Sequence, residues 1–205
     1  MKKNRKKKSH INRILVVIIV LLVLGIVVFF QTRPKLQVVS VVSEISDYNY
    51  YLESNATGVY KKYYQQLESE LSNNKIDEEN YAKLIAKLFL IDYYTLNNKI
   101  TNKDIGGVDF IHTNLKEGFI EEASNTIYKY VKNNLYGKRR QKLPEVEDVE
   151  IIDIKNIKYK NKDYYDEAGY EIEAEIKYVK DLEYPEKVNL KLIHEDNKLV
   201  IVEIK

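Results

Sequence analysis

The nine residues from Tyr170 to Tyr178 have the sequence YEIEAEIKY, in which apolar and charged side chains alternate without a break. Successive side chains of a β-strand point to opposite faces, so this segment predicts a strand with one buried face and one wet face. The alternation continues in Val188–Leu192, and residues 194–198 predict a turn before a last strand at Leu199–Ile204. These segments indicate antiparallel strands that follow one another along the chain.

A further strand is predicted upstream, over Val146–Tyr159, but its apolar residues change parity along the run. Val149 and Ile151 are at odd positions, whereas Ile152 and Ile154 are at even positions. A change of parity moves side chains to the other face, so it predicts a bulge or a strong bend. With this strand the sequence predicts a bent antiparallel sheet of about four strands.

The chain before Leu143 has helical periodicity instead. Apolar stripes predict three helices, at about residues 57–73, 78–97 and 113–134. Thr57 or Asn55 can cap the first helix, and Asp77 can cap the second. Helices followed by a run of antiparallel strands predict an α+β domain, with the helices packed on one face of the sheet.

The segment Ile14–Phe30, ILVVIIVLLVLGIVVFF, has seventeen residues without a polar side chain. A helix of this length is about 26 Å long, close to the roughly 30 Å hydrocarbon core of a bilayer. A cleaved signal peptide is the alternative, but the residues that follow contain no A-x-A pattern and the chain has no cysteine for lipid attachment. The predicted organisation is a tail at 1–13, a transmembrane helix at 14–30, an extended stalk or strand at 31–56 and an exterior domain at 57–205.

Basic residues are concentrated before this helix, and the first thirteen residues contain no acid. The seven bases are Lys2, Lys3, Arg5, Lys6, Lys7, Lys8 and Arg13. The positive-inside rule then predicts a cytoplasmic N-terminus, a cell-membrane location and an extracellular C-terminal domain. Next to an apolar helix, such bases are better explained by orientation and lipid headgroups than by nucleic-acid binding. The rest of the chain has 26 bases against 31 acids, so no nucleic-acid partner is expected.

The sequence lacks the common signatures of catalysis. No cysteine is present, which excludes disulfides, thiol nucleophiles and Cys-based zinc sites. The histidines at 10, 112 and 194 do not have the spacing of a metal motif, and no G-x-S-x-G occurs. We therefore expect no cofactor, no metal site, no catalytic residue and no enzymatic activity.

Asp92 is the exterior residue whose position conflicts with its chemistry. It lies on the apolar arc of the second helix, so its carboxylate needs a partner. In a structural role, the carboxylate would accept hydrogen bonds from backbone N–H groups of the turn at Ile105–Phe110 or from a Tyr hydroxyl. The functional alternatives are that Asp92 lines a ligand pocket or acts as a general base paired with His112. This turn holds the double glycine Gly106-Gly107, which indicates unusual dihedral angles or close backbone approach.

Three helices and a bent antiparallel sheet, placed outside a single N-terminal anchor, resemble the nuclear-transport-factor-like cone. The architecture over residues 10–205 also resembles single-anchor assembly components of conjugation and type IV secretion machines, of the VirB and TcpC type. A composition rich in Lys, Asn, Ile and Tyr is similar to that of low-GC Gram-positive bacteria. The resemblance implies an envelope protein, and it carries no functional residue over to this chain.

Two functions remain open at this stage. The first is a membrane-anchored envelope protein whose exterior domain binds other envelope proteins or itself, as an interaction or assembly module. The second is a cone-shaped domain that binds a small ligand, or acts on one, in a pocket near Asp92 and His112. A cavity that brings these two side chains within hydrogen-bond reach would favour the second function.

Overall fold

The computed structural model describes residues 3–33 and 35–205 of the chain. The chain divides into two compact units, residues 1–36 and 37–205. The first unit contains one helix, α1 (Lys3–Thr32), which extends beyond the predicted span of 14–30 because no helix-breaking residue precedes Ile14. Within the described residues, this is the one helix long and apolar enough to cross a bilayer, with a mean hydropathy of 3.0 over Leu15–Thr32.

The second unit contains the predicted four-stranded antiparallel sheet. Its strands are β3 (Val146–Lys160), β4 (Tyr165–Tyr178), β5 (Lys187–Glu195) and β6 (Lys198–Ile204), paired in the order β3-β4-β5-β6. Four of the five apolar residues of the quoted segment are buried, Tyr178 is partly buried, and the charged residues between them are more exposed. The α+β class and the antiparallel sheet are therefore confirmed.

The change of parity in β3 corresponds to breaks in its pairing with β4. The register shifts between Val146 and Asp148, between Ile151 and Asp153, and between Ile157 and Tyr159. Extra residues at these points turn the following side chains to the other face. The predicted irregularity is confirmed.

Two helices of the second unit form close to where the sequence places them. They are α2 (Gly58–Leu71) and α3 (Glu78–Tyr94). Thr57 Oγ1 accepts a hydrogen bond from the Tyr60 N–H, and the Asp77 carboxylate accepts from the first turn of α3. Both caps satisfy N–H groups that have no partner inside the helix. α3 is the central element of the core and packs against β3, β4 and β6.

The third helix of this unit is shorter than predicted. A single 3₁₀ turn (Thr113–Leu115) leads into α4 (Lys116–Asn125), so the expected helix at 113–134 ends nine residues early. Ser124 and Thr126 bond through their hydroxyl groups to carbonyls one turn back, which competes with continuation of the helix. Beyond that point Tyr128 and Val131 pack into a small second core with Leu96.

Part of the expected stalk at 31–56 folds back as a hairpin of two strands. These are β1 (Val41–Ile45) and β2 (Tyr50–Glu53), joined by a turn in which Asn49 is left-handed. Tyr50 is fully buried, stacks on Phe110 and hydrogen-bonds with the Tyr81 hydroxyl. These contacts make the hairpin part of the main core of the second unit, which a pattern of β-branched residues alone did not indicate.

Candidate ligand pocket

A pocket of about 170 Å³ lies beside the C-terminal half of α3. Its walls come from three stretches that are distant in sequence: the β2–α2 connection, the end of α3 with the residues after it, and the double-glycine turn. Asp92 lines this pocket, as the second function requires, but His112 does not. Most of the residues that line the pocket are polar or glycine.

The floor of the pocket is an ion pair between Asp92 and Lys99. The Lys99 Nζ lies 2.5 Å from Asp92 Oδ1, and the side chains are 2% and 27% exposed, respectively. The other carboxylate oxygen accepts a 2.6 Å hydrogen bond from the Gly107 N–H. Asp92 therefore has a partner in the turn at Ile105–Phe110, together with a lysine partner that the sequence pattern did not indicate. Lys99 lies beyond the C-terminal end of α3, and only the reversal of the chain there brings its side chain back to Asp92.

Each glycine of the turn has its own reason to be glycine. A Cβ on Gly106 would collide with the Asp92 carbonyl oxygen and come within 2.7 Å of Lys99 Nζ. Gly107 has φ of 78°, a left-handed conformation that is costly for other residues. Both expectations for the double glycine, close approach and an unusual dihedral angle, are confirmed, and they let the turn close over the ion pair.

Acidic side chains predominate in the pocket lining. Glu53, Asp104 and Asp109 join Asp92, against the single base Lys99, so the formal charge is −3 when all are ionised. Burial raises the pKa of Asp109, and Lys116 and Lys198 oppose this increase. Burial also raises the pKa of Glu53, with Lys99 opposing. Carboxylates held partly out of water are stabilised by a cation that enters beside them.

Two buried oxygen atoms in the wall have no donor among the described residues. Asn55 and Asn98 exchange hydrogen bonds from side-chain Nδ2 to backbone oxygen, at 3.2 and 3.1 Å. Their Oδ1 atoms are buried and unpaired. An unsatisfied buried acceptor costs roughly 1–3 kcal/mol, so a ligand that donates N–H groups here would remove a penalty.

The lining chemistry suits an organic cation. Among the described residues, no three His, Asp or Glu side chains converge in a metal-binding arrangement. The pocket instead offers carboxylates, amide acceptors and the ring of Tyr60, whose pKa burial raises well above its usual value. Ammonium and guanidinium groups bind to such a combination through charge, N–H donors and contact with an aromatic face.

His112 has a structural position elsewhere. It is 7% exposed, its Nδ1 accepts from the Asn114 N–H at 3.2 Å, and its Nε2 lies 3.5 Å from a Glu195 carboxylate oxygen. Its backbone N–H donates to the Ile201 carbonyl at 3.0 Å, and its ring packs on Tyr164. The pairing of Asp92 with His112, considered for a general base, is therefore not formed; each has its own partners.

The structure describes only some of the seven bases that the sequence predicts as determinants of topology. Of the basic residues before the apolar segment, Arg13 is exposed on α1, Lys2 lies outside the described residues, and so do the side chains of Lys3, Arg5, Lys6, Lys7 and Lys8.

Sequence reasoning missed the acids Glu53, Asp104 and Asp109, because each is a single carboxylate outside any recognisable motif and only the fold brings them together. No protein family, no curated protein and no solved structure matched the chain.

Proposed function

We propose that the protein is a single-pass, membrane-anchored envelope protein whose exterior domain serves as an interaction or assembly module. The observation that carries the proposal is the surface of α1. Every residue from Leu15 to Thr32 is exposed, and only Gln31 and Thr32 among them have polar side chains. Exposure of so many apolar residues is very unfavourable in water and favourable in a bilayer.

The orientation follows from the charges on either side of the helix. Seven bases precede the apolar segment, and only Arg33 and Lys35 closely follow it. This asymmetry supports a cytoplasmic tail and an exterior domain on the outer side of the cell membrane. A retained anchor is proposed rather than a cleaved signal, since the apolar segment is long and lacks a small-residue cleavage pattern.

The assembly role is supported by architecture. Three exterior helices and a bent antiparallel sheet, after one anchor, are consistent with the nuclear-transport-factor-like cone and with assembly components of conjugation or type IV secretion machines. In this proposal the partners are other envelope proteins or a second copy of the chain.

Protease accessibility in intact cells, followed by crosslinking, tests the proposal. A tag before Lys2 should survive protease added to wall-stripped cells, while the domain from Gln31 onward is degraded; lysed cells provide the control in which both are lost. Full protection of the domain would overturn the orientation. Crosslinking in intact cells should then capture envelope proteins or a second copy of the chain, and a domain that is recovered only as an uncrosslinked monomer would contradict the assembly role.

The pocket supports a second candidate function, the binding of a small cationic ligand. Its acidic lining and its two unpaired acceptors, Asn55 Oδ1 and Asn98 Oδ1, favour this candidate. Calorimetry with putrescine, lysine and arginine should show binding that Asp109→Asn weakens at least several-fold. Asp163→Asn removes the same charge from an exposed turn and should leave binding unchanged. Equal affinity in all three proteins would exclude the pocket.

A further inference from the structure

The segment Lys129–Lys142 forms a loop with a charge opposite to that of its surroundings. Its sequence, KYVKNNLYGKRRQK, contains six bases and no acid. Without this loop, the chain after residue 13 has 20 bases against 31 acids. We refer to Lys129–Lys142 as the basic loop.

The bases of this loop are free to bind a partner, apart from one. Arg139 is half-buried and donates to the carbonyls of Lys99, Lys132, Leu96 and Asn97. The other five are exposed and have no ion pair among the described residues; they are Lys129, Lys132, Lys138, Arg140 and Lys142. Arg139 therefore holds the loop, and its neighbours present the charge.

The loop is ordered by its own hydrogen bonds as well. Gln141 bonds to the Lys132 N–H and to the Tyr130 carbonyl, at 2.9 Å each. Asn134 donates from its backbone to the Ile100 carbonyl and accepts from the Arg139 N–H. A surface held in this way loses little conformational entropy when it binds.

Exposed aromatic and apolar residues accompany the bases. Tyr130 is 74% exposed and Tyr136 is 53% exposed. Val38 is 78% exposed. It follows Gln37, whose backbone hydrogen-bonds to the loop. Tyrosine is enriched at membrane–water interfaces because its ring is apolar and its hydroxyl group is polar.

Only a short stretch of chain connects the end of α1 to this loop. The Gln37 N–H donates a 2.7 Å hydrogen bond to the Leu135 carbonyl of the loop. Gln37 is five residues beyond Thr32, where α1 ends, and an extended chain covers at most about 3.6 Å per residue. The contour from the helix end to the loop is therefore at most about 18 Å.

We propose that the basic loop binds the anionic headgroups of the membrane in which α1 is embedded. The inference rests on the proposed membrane anchorage and adds a second, electrostatic contact to it. Each base near an anionic surface favours the bound state about five-fold, and Tyr130 and Tyr136 add contact at the headgroup level. The domain is then held against the bilayer in one orientation.

The test uses the full chain in lipid nanodiscs, because the absence of cysteine allows single labels. An environment-sensitive fluorophore at Tyr136→Cys should be protected from an aqueous quencher in discs with 30% phosphatidylglycerol, and exposed in phosphatidylcholine discs. Protection should also be lost at 1 M salt, which screens charges beyond a few ångströms. A label at Lys162→Cys, beyond the opposite end of β3, should stay exposed in every disc.

Paired variants separate charge from general effects. Lys138→Gln with Arg140→Gln should reduce the ratio of protected to exposed label about 25-fold. Lys158→Gln with Lys160→Gln removes two exposed lysines from the far end of β3 and should leave the ratio unchanged.

Three outcomes would overturn the inference. Equal protection in both kinds of disc would show that charge is not involved. An exposed label on anionic discs would show that the loop stays in water, and protection produced only by added soluble poly(glycerol phosphate) would make a polymer the partner. A label at Leu22→Cys distinguishes these results from failure of the anchor, since it is shielded by lipid whenever α1 spans the disc.

Discussion

Removal of the Asp92 carboxylate is the perturbation whose magnitude follows most directly from the pocket geometry. Asp92→Ala leaves the Lys99 ammonium group, which is 2% exposed, without a counter-charge, and leaves the Gly107 N–H without its acceptor. Breaking a buried ion pair from one side costs roughly 3–5 kcal/mol. Because Asp92 itself is 27% exposed, water can partly replace it, and we expect a cost of about 3 kcal/mol.

The companion variants separate charge from hydrogen bonding. Asp92→Asn keeps an acceptor for Gly107 but loses the charge, so it should cost less than the alanine variant. Lys99→Met keeps the volume of the side chain and leaves a carboxylate that reaches solvent, for a cost of about 1 kcal/mol. The double variant of Asp92→Ala with Lys99→Met should lose less stability than the two single variants lose in sum. The difference should be at least about 1 kcal/mol.

Urea denaturation of the fragment 37–205, followed by circular dichroism and tyrosine fluorescence, measures these values. Lys83→Ala breaks the exposed pair with Glu79 in the same helix and should cost no more than about 0.5 kcal/mol. If Asp92→Ala costs as little as this control, and the double variant is additive, then the ion pair does not stabilise the pocket floor. Such a result would refute the assignment.

Three further predictions concern stability of the same fragment. In urea melts, Gly106→Ala should lower the free energy of unfolding by roughly 1–3 kcal/mol or more, because the new methyl group meets backbone atoms. The new methyl group of Gly118→Ala in α4 meets no atom, so this variant should raise the free energy of unfolding by about 0.5–1 kcal/mol. Burial raises the pKa of Asp109, so the native state binds the extra proton and stability falls as pH rises above about 4; Asp109→Asn should abolish that slope and melt higher at pH 7. Burial alone would raise the pKa of Asp166, but hydrogen bonds from Ala168 and His194 outweigh burial and lower that pKa. The stability that Asp166 contributes is therefore present above about pH 4 and is lost as pH falls through the lowered pKa. Asp166→Asn should destabilise the fragment at pH 7 and do so much less at pH 3.

Local patterns were sufficient for most of the fold. The alternation in Tyr170–Tyr178 and the parity change in β3 are properties of neighbouring residues, and both were confirmed. The caps at Thr57 and Asp77 depend only on the next three residues, which is why they were predictable as well. The end of α4 was not, because periodicity continued past Asn125 while local hydroxyl bonds and the small second core ended the helix.

The candidate site was predictable only in its central residue. Asp92 drew attention because a carboxylate on an apolar arc conflicts with burial, and that conflict is visible in sequence. Lys99 and the acids Glu53 and Asp109 raise no such conflict, since none of them lies on the apolar arc of a predicted helix. Their convergence depends on a chain reversal and on the hairpin β1–β2, both of which are fixed by tertiary contacts.

The irregular outer strand of the sheet has a consequence for crowding in the plane of a membrane. β3 lies at the edge of the sheet, and an edge offers N–H and C=O groups to strands of other molecules. Three register shifts interrupt this edge, and Lys87 Nζ donates to the Val149 carbonyl at 2.6 Å. In the proposed membrane-anchored form, neighbouring molecules meet side by side at high local density, where a straight apolar edge would let their sheets pair. The three shifts and the Lys87 contact leave fewer free groups on β3 for continuous pairing with a second sheet, so contacts between copies would have to use other surfaces.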